Sequence, residues 1–208
     1  RPGEAVVIWT TTPWTLPANV AAAVAPDARY GLRDGEWRAV ERTLIDGAPA
    51  PDEAFDEIVT GADMVGWRYQ GPFDDLRAER SVEHEVVPWD EVSLDDGTGI
   101  VHIAPGCGTD DFALGQELGL AIIAPVDEAG LFYGDFGWLA GREARAVADD
   151  VIADLRERGL LVSAGTIEHR YPECWRCHTP LIYRISDDWF IRIDDDLRQR
   201  LRDANGTV

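Results

Sequence analysis

The sequence predicts an α+β fold, with many short strands around a few helices. Three observations carry this. Short apolar runs bounded by Gly, Pro and Asp recur from residue 5 to residue 126. Helical periodicity is confined to a few stretches, above all 142–158 and the C-terminal DDLRQRLRDA. The chain has 208 residues and is 45% hydrophobic, enough for a core, yet no apolar run approaches the roughly 20 residues that span a membrane.

The elements follow in order. AVVIWT (5–10) reads as a buried strand and NVAAAVAP (19–26) as a second. Between them the chain is stiff and non-helical, because Pro13 biases Thr12, and Pro17 biases Leu16, towards extended backbone. Residues 30–47 form a hairpin with Asp34-Gly35 as its turn. Residues 53–64 read as a short helix. VEHEVVPW (82–89) is a strand, and DDGTGIVHIAP (95–105) is a turn feeding a short strand that stops at Pro105. TDDFALGQELGL opens a helix, with Thr109 as N-cap, acidic residues in its first turn and Gly119 near its end. AIIAPV (121–126) is a strand. In the helix 142–158, Val147, Val151, Ile152 and Leu155 make one apolar stripe and Gly159 is the stop. LLVSAG, LIYR and DWFIRI read as strands before the last amphipathic helix. No internal repeat or linker interrupts the chain. It divides into a body, 1–165, and a return segment, 166–208, that carries a CxxC.

Formal net charge is −20, and all 19 basic residues are Arg. A Lys-free, Asp-rich surface fits a GC-rich genome, a high-salt cytoplasm or a merely acidic domain. In each case it opposes nonspecific nucleic-acid binding, which rests on cations that neutralise phosphates. Any nucleic-acid contact is therefore local, or is made by another part of a larger protein. The opening RPGEAVV has no initiator Met and no basic leader, and both ends read as those of a piece cut from something longer. Cys107, Cys174 and Cys177 are odd in number and include one CxxC, which points to a reducing, cytoplasmic setting.

Three segments carry chemistry. In WTTTPWTLPAN, Thr10, Thr11 and Thr12 can present hydroxyls and methyls to one small cavity; the plainer reading is a β-branched edge strand. In GTGIVHIAPGCGTDDF, Gly97 and Gly99 permit a tight turn, His102 lies mid-strand, and Asp110 and Asp111 open a helix. The aspartates either cap that helix or turn one carboxylate to an ammonium group, and a lone strand His is more often core than catalyst. In EHRYPECWRCHTPLIYR, Cys174 and Cys177 have zinc-like spacing beside His169 and His178. A second CxxC is lacking and the His spacing is not that of a standard finger. The segment is thus half a knuckle completed from outside, or a metal-free turn.

Together these segments resemble the editing domain of isoleucyl-tRNA synthetases, the CP1 insertion of a class I catalytic core. The resemblance rests on WTTTPWTLPAN (9–19), GTGIVHIAPGCGTDDF (97–112), and YPECWRCHTPLIYR (171–184) with DWFI (188–191). The related valine and leucine enzymes usually carry an Arg after two threonines, where this chain has Thr12. Many relatives have His where Cys107 stands, so that His is not essential to the chemistry.

The resemblance implies a β-barrel-like editing domain of class I (Val/Leu/Ile) synthetases with flanking helices. It implies a deacylase: post-transfer hydrolysis of mischarged Val-tRNA(Ile), with valyl-adenylate as a further substrate. Isoleucine and valine differ by one methylene, known for isoleucyl-tRNA synthetases themselves to be worth about 1–3 kcal/mol in an apolar pocket, so a second sieve is needed. Asp111 would pair with the α-ammonium. Thr10, Thr11 and Thr12 would hold the ester oxygens, the terminal ribose or the attacking water. His102 would narrow the side-chain pocket, and Trp14 and Asn19 would shape the adenosine side. No nucleophile–base pair is evident, so water attacks directly, assisted by the free ribose hydroxyl. Editing needs no cofactor, and a structural zinc at Cys174 and Cys177 would be completed from outside. The partners implied are the 3′ end of tRNA(Ile) carrying valine and the rest of the synthetase chain, with no membrane. HIGH-type and KMSKS-type signatures are missing, so isoleucine activation is not expected in this segment. The rival readings are a zinc-knuckle nucleic-acid-binding module, a thiol hydrolase using Cys107, and a catalytically silent structural insertion.

Overall fold

The structure, a computed structural model, describes residues 2–168 and 170–206. In chain order the strands are β1 (Ala5–Val6), β2 (Ala21–Val24), β3 (Arg29–Arg33), β4 (Glu36–Ala39), β5 (Leu44–Ile45), β6 (Ala48–Pro49), β7 (Glu57–Thr60), β8 (Glu85–Pro88) and β9 (Ile100–Ile103). The α-helices are α1 (Gly61–Met64), α2 (Thr109–Leu118), α3 (Ala148–Glu157) and α4 (Asp195–Asn205). The mixed α+β class matches expectation. The strands form sheets ordered β1-β4-β3-β7, β8-β2-β9 and β5-β6.

The AAAV run explains the centre. β2 is buried throughout and lies between β8, parallel, and β9, antiparallel. Its side chains alternate between two clusters. Ala22 and Val24 meet Tyr30, Trp37 and Met64, while Ala21 and Ala23 meet Val87, Ile103 and Leu114. Only small residues fit a strand pressed from both faces by such groups.

The run predicted as one strand over 5–10 passes between sheets. β1 pairs with β4, Val7 N–H donates to Trp37 O at 3.1 Å, and Trp9 N–H donates to Ile100 O at 3.1 Å beside β9. This crossover joins the two larger sheets. Asp34 and Gly35 both have positive φ, as the predicted hairpin turn requires.

Other expectations need correction. Residues 13–18, read as non-helical, form a 3-10 helix with Pro13 at its start, where a missing N–H costs nothing. The helix expected over 53–64 is interrupted: a 3-10 turn, Asp52–Ala54, and α1 flank β7, because Ile58 and Val59 complete the free edge of β3. Thr109 is not the N-cap of α2; the extended Gly108 is. Residues 121–126 form no strand beyond a Val126–Phe132 bridge. Pro125 lacks a donor, and the Ile123 carbonyl lies against Gly106, where a Cβ would come within 1.7 Å. The helix over 142–158 becomes regular only at Ala148, because Glu143 bridges Leu131 and Ala144 N–H bonds Gly130 O. The runs 160–165, 181–184 and 188–193 are not strands. No neighbouring strand among the described residues supplies their hydrogen bonds.

The largest cluster packs Val147, Val151 and Leu155 of the 144–157 region against Trp14, Leu16, Phe73 and Phe136. It thereby fixes the 3-10 turn that carries the threonine run. The return segment is thinly packed: Ile182 touches this cluster, while Trp175, Trp189 and Phe190 are exposed.

Candidate active site

The site grows from the 3-10 turn. Thr12 C=O accepts from Thr15 N–H at 3.0 Å and from the Thr15 hydroxyl at 2.8 Å. Thr10 Oγ1 accepts from Thr12 N–H at 3.1 Å and lies 3.3 Å from Thr12 Oγ1, which is 3.2 Å from Thr15 Oγ1. One proton assignment satisfies the set. Thr15 gives its proton to Thr12 C=O, Thr12 gives its own to Thr15 Oγ1, and Thr10 gives its own to Thr12 Oγ1. Two of the three consecutive threonines, Thr10 and Thr12, enter this ladder.

His102, on β9, meets the ladder from the opposite side. Its Nε2 is 3.1 Å from Thr15 Oγ1, and its Nδ1 is 2.8 Å from Asn19 Nδ2. Asn19 Nδ2 also donates to Ala21 O at 3.0 Å, and Asn19 Oδ1 accepts from Tyr69 OH at 2.8 Å. Burial pushes the imidazole down to about 4, so the ring is neutral at pH 7. With both nitrogens committed, the ring can offer a ligand only its carbon surface. It is not available as a base.

Asp111 lies in the first turn of α2. Its Oδ2 accepts from Ala104 N–H at 2.8 Å, two residues beyond His102. Burial, first, raises its carboxyl above the ordinary range; the Ala104 amide works the other way, and the Asp110 charge adds to the rise. Such a carboxylate is short of compensating partners. The loop between Ala104 and Asp111 depends on Gly106, which lies under the backbone of Ile123.

The structure joins Thr10, Thr12, Asn19 and His102 by hydrogen bonds and places Asp111 at the end of the same strand. Trp14, expected on the adenosine side, is 5% exposed and packs in the core, so it acts through the shape of the turn. Asn19 is buried and addresses His102. Sequence reasoning missed Thr15 and Tyr69. Thr15 stands at i+3 from Thr12, the spacing of one 3-10 turn; Tyr69 has no local signal, because its contact spans 50 residues.

Cys107 is no nucleophile. Burial, first, then the charges of Asp111 and Glu79 push its thiol up, and His102 is bonded elsewhere. Cys174 and Cys177 flank an exposed turn in which His178 N–H bonds Cys174 O at 2.9 Å. Hydrogen bonding with Thr179, then with Cys174, lowers the Cys177 thiol to about 7. Among the described residues no group of three or more His, Cys, Asp or Glu is placed to hold a metal ion, and His169 lies outside them.

No protein-family model matches the chain. Curated relatives do. Isoleucine–tRNA ligase of Methanothermobacter thermautotrophicus is 44% identical over 203 residues, covering 96% of this chain and 19% of the ligase. That of Thermotoga neapolitana is 42% identical over 208 residues, covering 96% of this chain and 22% of the ligase. The chain therefore spans about a fifth of the length of these relatives. Among solved structures, GlLeuRS-CP1 aligns with a TM-score of 0.62 at 14% identity, over 82% of this chain and 86% of its own. Over nearly its whole length the chain is thus homologous to one segment of isoleucine–tRNA ligases, and its fold is that of a class I aminoacyl-tRNA synthetase CP1 editing domain.

Proposed function

We propose that the chain is the second sieve of an isoleucyl-tRNA synthetase, hydrolysing Val-tRNA(Ile), and valyl-adenylate as a further substrate, while sparing Ile-tRNA(Ile). The observation that carries this reading is the His102 ring held edge and edge by Thr15 and Asn19 beside the partly uncompensated Asp111. A rigid apolar wall next to a carboxylate suits an aminoacyl group: the carboxylate takes the α-ammonium and the wall measures the side chain. The isoleucine side chain meets a wall that cannot withdraw without breaking hydrogen bonds at both nitrogens.

The chemistry is ester hydrolysis by water. Water oxygen bonds to the ester carbonyl carbon, the carbonyl oxygen takes the developing charge, and the C–O bond to the ribose then breaks. The ribose oxygen leaves with a proton, giving valine and tRNA. Thr10 and Thr12, whose protons are spent within the ladder, accept from the attacking water, the exposed Thr11 hydroxyl donates to an ester oxygen, and the neighbouring ribose hydroxyl shuttles the proton. Rate enhancement comes from orientation and fixed dipoles, because neither His102 nor Cys107 is available as base or nucleophile.

In this reading the partners are the 3′ end of tRNA(Ile) and the rest of the synthetase chain, and the setting is the cytoplasm. Cys174 and Cys177 would supply two thiolates to a structural zinc completed from outside the segment. Deacylation of Val-tRNA(Ile) against Ile-tRNA(Ile), in the parent and in Asp111→Ala, tests the reading. Loss of valine alone in the parent, and its abolition in the variant, are expected.

A further inference from the structure

Three consecutive carbonyls of the loop before β9 each take a donor from β3, β4 or the 3-10 turn Val40–Arg42. Gly97 O accepts from Arg42 Nε at 3.0 Å, Thr98 O from Ala39 N–H at 2.9 Å, and Gly99 O from the Tyr30 hydroxyl at 2.8 Å. The next carbonyl, Ile100 O, accepts from Trp9 N–H at 3.1 Å. The loop is thus pinned along its length, and Trp9 is pinned to it. Gly97 has a φ of +65°, and a Cβ there would come within 2.6 Å of the Trp9 ring, so the indole rests directly on glycine backbone.

Trp9 is nonetheless 37% exposed, whereas Trp14 of the same motif is buried. Exposure alternates along the run: Trp9 and Thr11 are exposed, while Thr10 and Thr12 are half-buried in the ladder. Indole and Thr11 hydroxyl therefore share the solvent side. Two residues of extended chain span about 7 Å. An ester held at Thr11 leaves the indole beside the next nucleotide of a single strand. Arg42 spends Nε on Gly97 O and has no ion pair among the described residues, so its terminal nitrogens can meet a phosphate. Glu41, Asp95 and Asp96 are exposed neighbours in the chain and oppose that phosphate, so stacking on the rigidly backed indole is the larger part of the contact.

We propose that Trp9 and Arg42, set on the Gly97 loop, form a platform for single-stranded RNA. The indole stacks the base of the nucleotide that precedes the aminoacylated terminal nucleoside, and the Arg42 guanidinium meets the phosphate joining the two. This inference rests on the second-sieve reading for its substrate. It gives a chain of net charge −20 a local grip on RNA that a free aminoacyl-adenosine cannot use.

The test compares Val-tRNA(Ile) with 2′(3′)-O-valyladenosine, which carries the same ester but no preceding nucleotide. Both are hydrolysed by the 208-residue chain and by a full-length isoleucyl-tRNA synthetase carrying it, as parent, Trp9→Leu, Trp9→Tyr and Arg42→Gln. Leucine keeps an apolar cover on Gly97 without a π face, and glutamine keeps a donor for Gly97 O without the charge. Trp9→Leu should raise KM for Val-tRNA(Ile) about tenfold relative to KM for valyladenosine, the worth of one stacked base, and Trp9→Tyr should restore most of it. Arg42→Gln should flatten the log–log salt dependence of KM for Val-tRNA(Ile) by about 0.7. An equal loss on both substrates in Trp9→Leu, or no change in either KM, would overturn the platform. An unaltered salt slope would overturn the part given to Arg42. A parent that hydrolyses neither substrate in either format would refute the second-sieve reading. Fluorescence anisotropy of a labelled single-stranded RNA with the tRNA 3′ sequence then decides the platform alone, and equal binding by parent and Trp9→Leu would overturn it.

Discussion

Glu79 offers the sharpest physical prediction outside the site. The residue is 2% exposed, and neither carboxyl oxygen has a hydrogen-bond partner among the described residues. His84 Nε2 is 3.7 Å from Oε2 but is taken by Asp74 at 2.8 Å. Burial, first, and the Asp74 charge, second, push the Glu79 carboxyl from 4.5 up to about 9. Its folded pKa is therefore raised, so its contribution is fully present below the unfolded value and is lost as pH rises through the folded one. Between these limits the folded chain holds a proton that the unfolded chain has released. Stability then falls by about 1.4 kcal/mol per pH unit from this group. From pH 6.0 to 7.5 the loss is about 2 kcal/mol, and this interval lies well inside the window. Glu79→Gln keeps the shape and removes the titration. Urea unfolding of parent and variant at the two pH values reads the effect, since all other groups cancel in the comparison. The variant should escape the loss of about 2 kcal/mol. The same pH dependence in both proteins would refute the reasoning.

Three further outcomes follow from the site. Asp111→Asn keeps an acceptor for Ala104 N–H, so the fold should survive, while loss of the charge that meets the ammonium should slow deacylation at least about 30-fold. A wild-type rate in that variant would remove Asp111 from the mechanism. Gly106→Ala sets a methyl 1.7 Å from the Ile123 carbonyl and should destabilise the chain by about 1–3 kcal/mol in thermal unfolding. Cys107→Ser should leave the deacylation rate close to the parent, because the thiol is buried and protonated; a collapse of the rate would restore the thiol-hydrolase reading.

The sequence exposed what is local. Asp34-Gly35 announces its hairpin through the positive φ both residues adopt, and the same signal at Asp46-Gly47 closes a second hairpin, β5–β6, which begins within the single one read over 30–47 and runs past its end. The AAAV strand, β8, β9 and α4 are legible because pattern and pairing agree. β7 is not: Ile58, Val59 and Thr60 are β-branched, but a run of four residues is too short to show a period, and the open edge of β3 decides its state. The return segment errs the other way: its β-branched runs are real, but among the described residues no partner strand meets them. In the site, Thr10, Thr12, Asn19, His102 and Asp111 stand out by residue type within two short motifs. Thr15 becomes meaningful only once the 3-10 turn is known. Tyr69 and Glu79 are visible only in three dimensions, because long-range packing decides what surrounds them.

The central claim is that this segment discriminates two esters differing by one methylene. The measurement that tests it most directly is the rate of deacylation of Val-tRNA(Ile) and Ile-tRNA(Ile), both by the 208-residue chain and by a full-length isoleucyl-tRNA synthetase carrying it. Selective release of valine, lost with Asp111→Ala, is the predicted result. Equal survival of both esters in both formats would contradict the account.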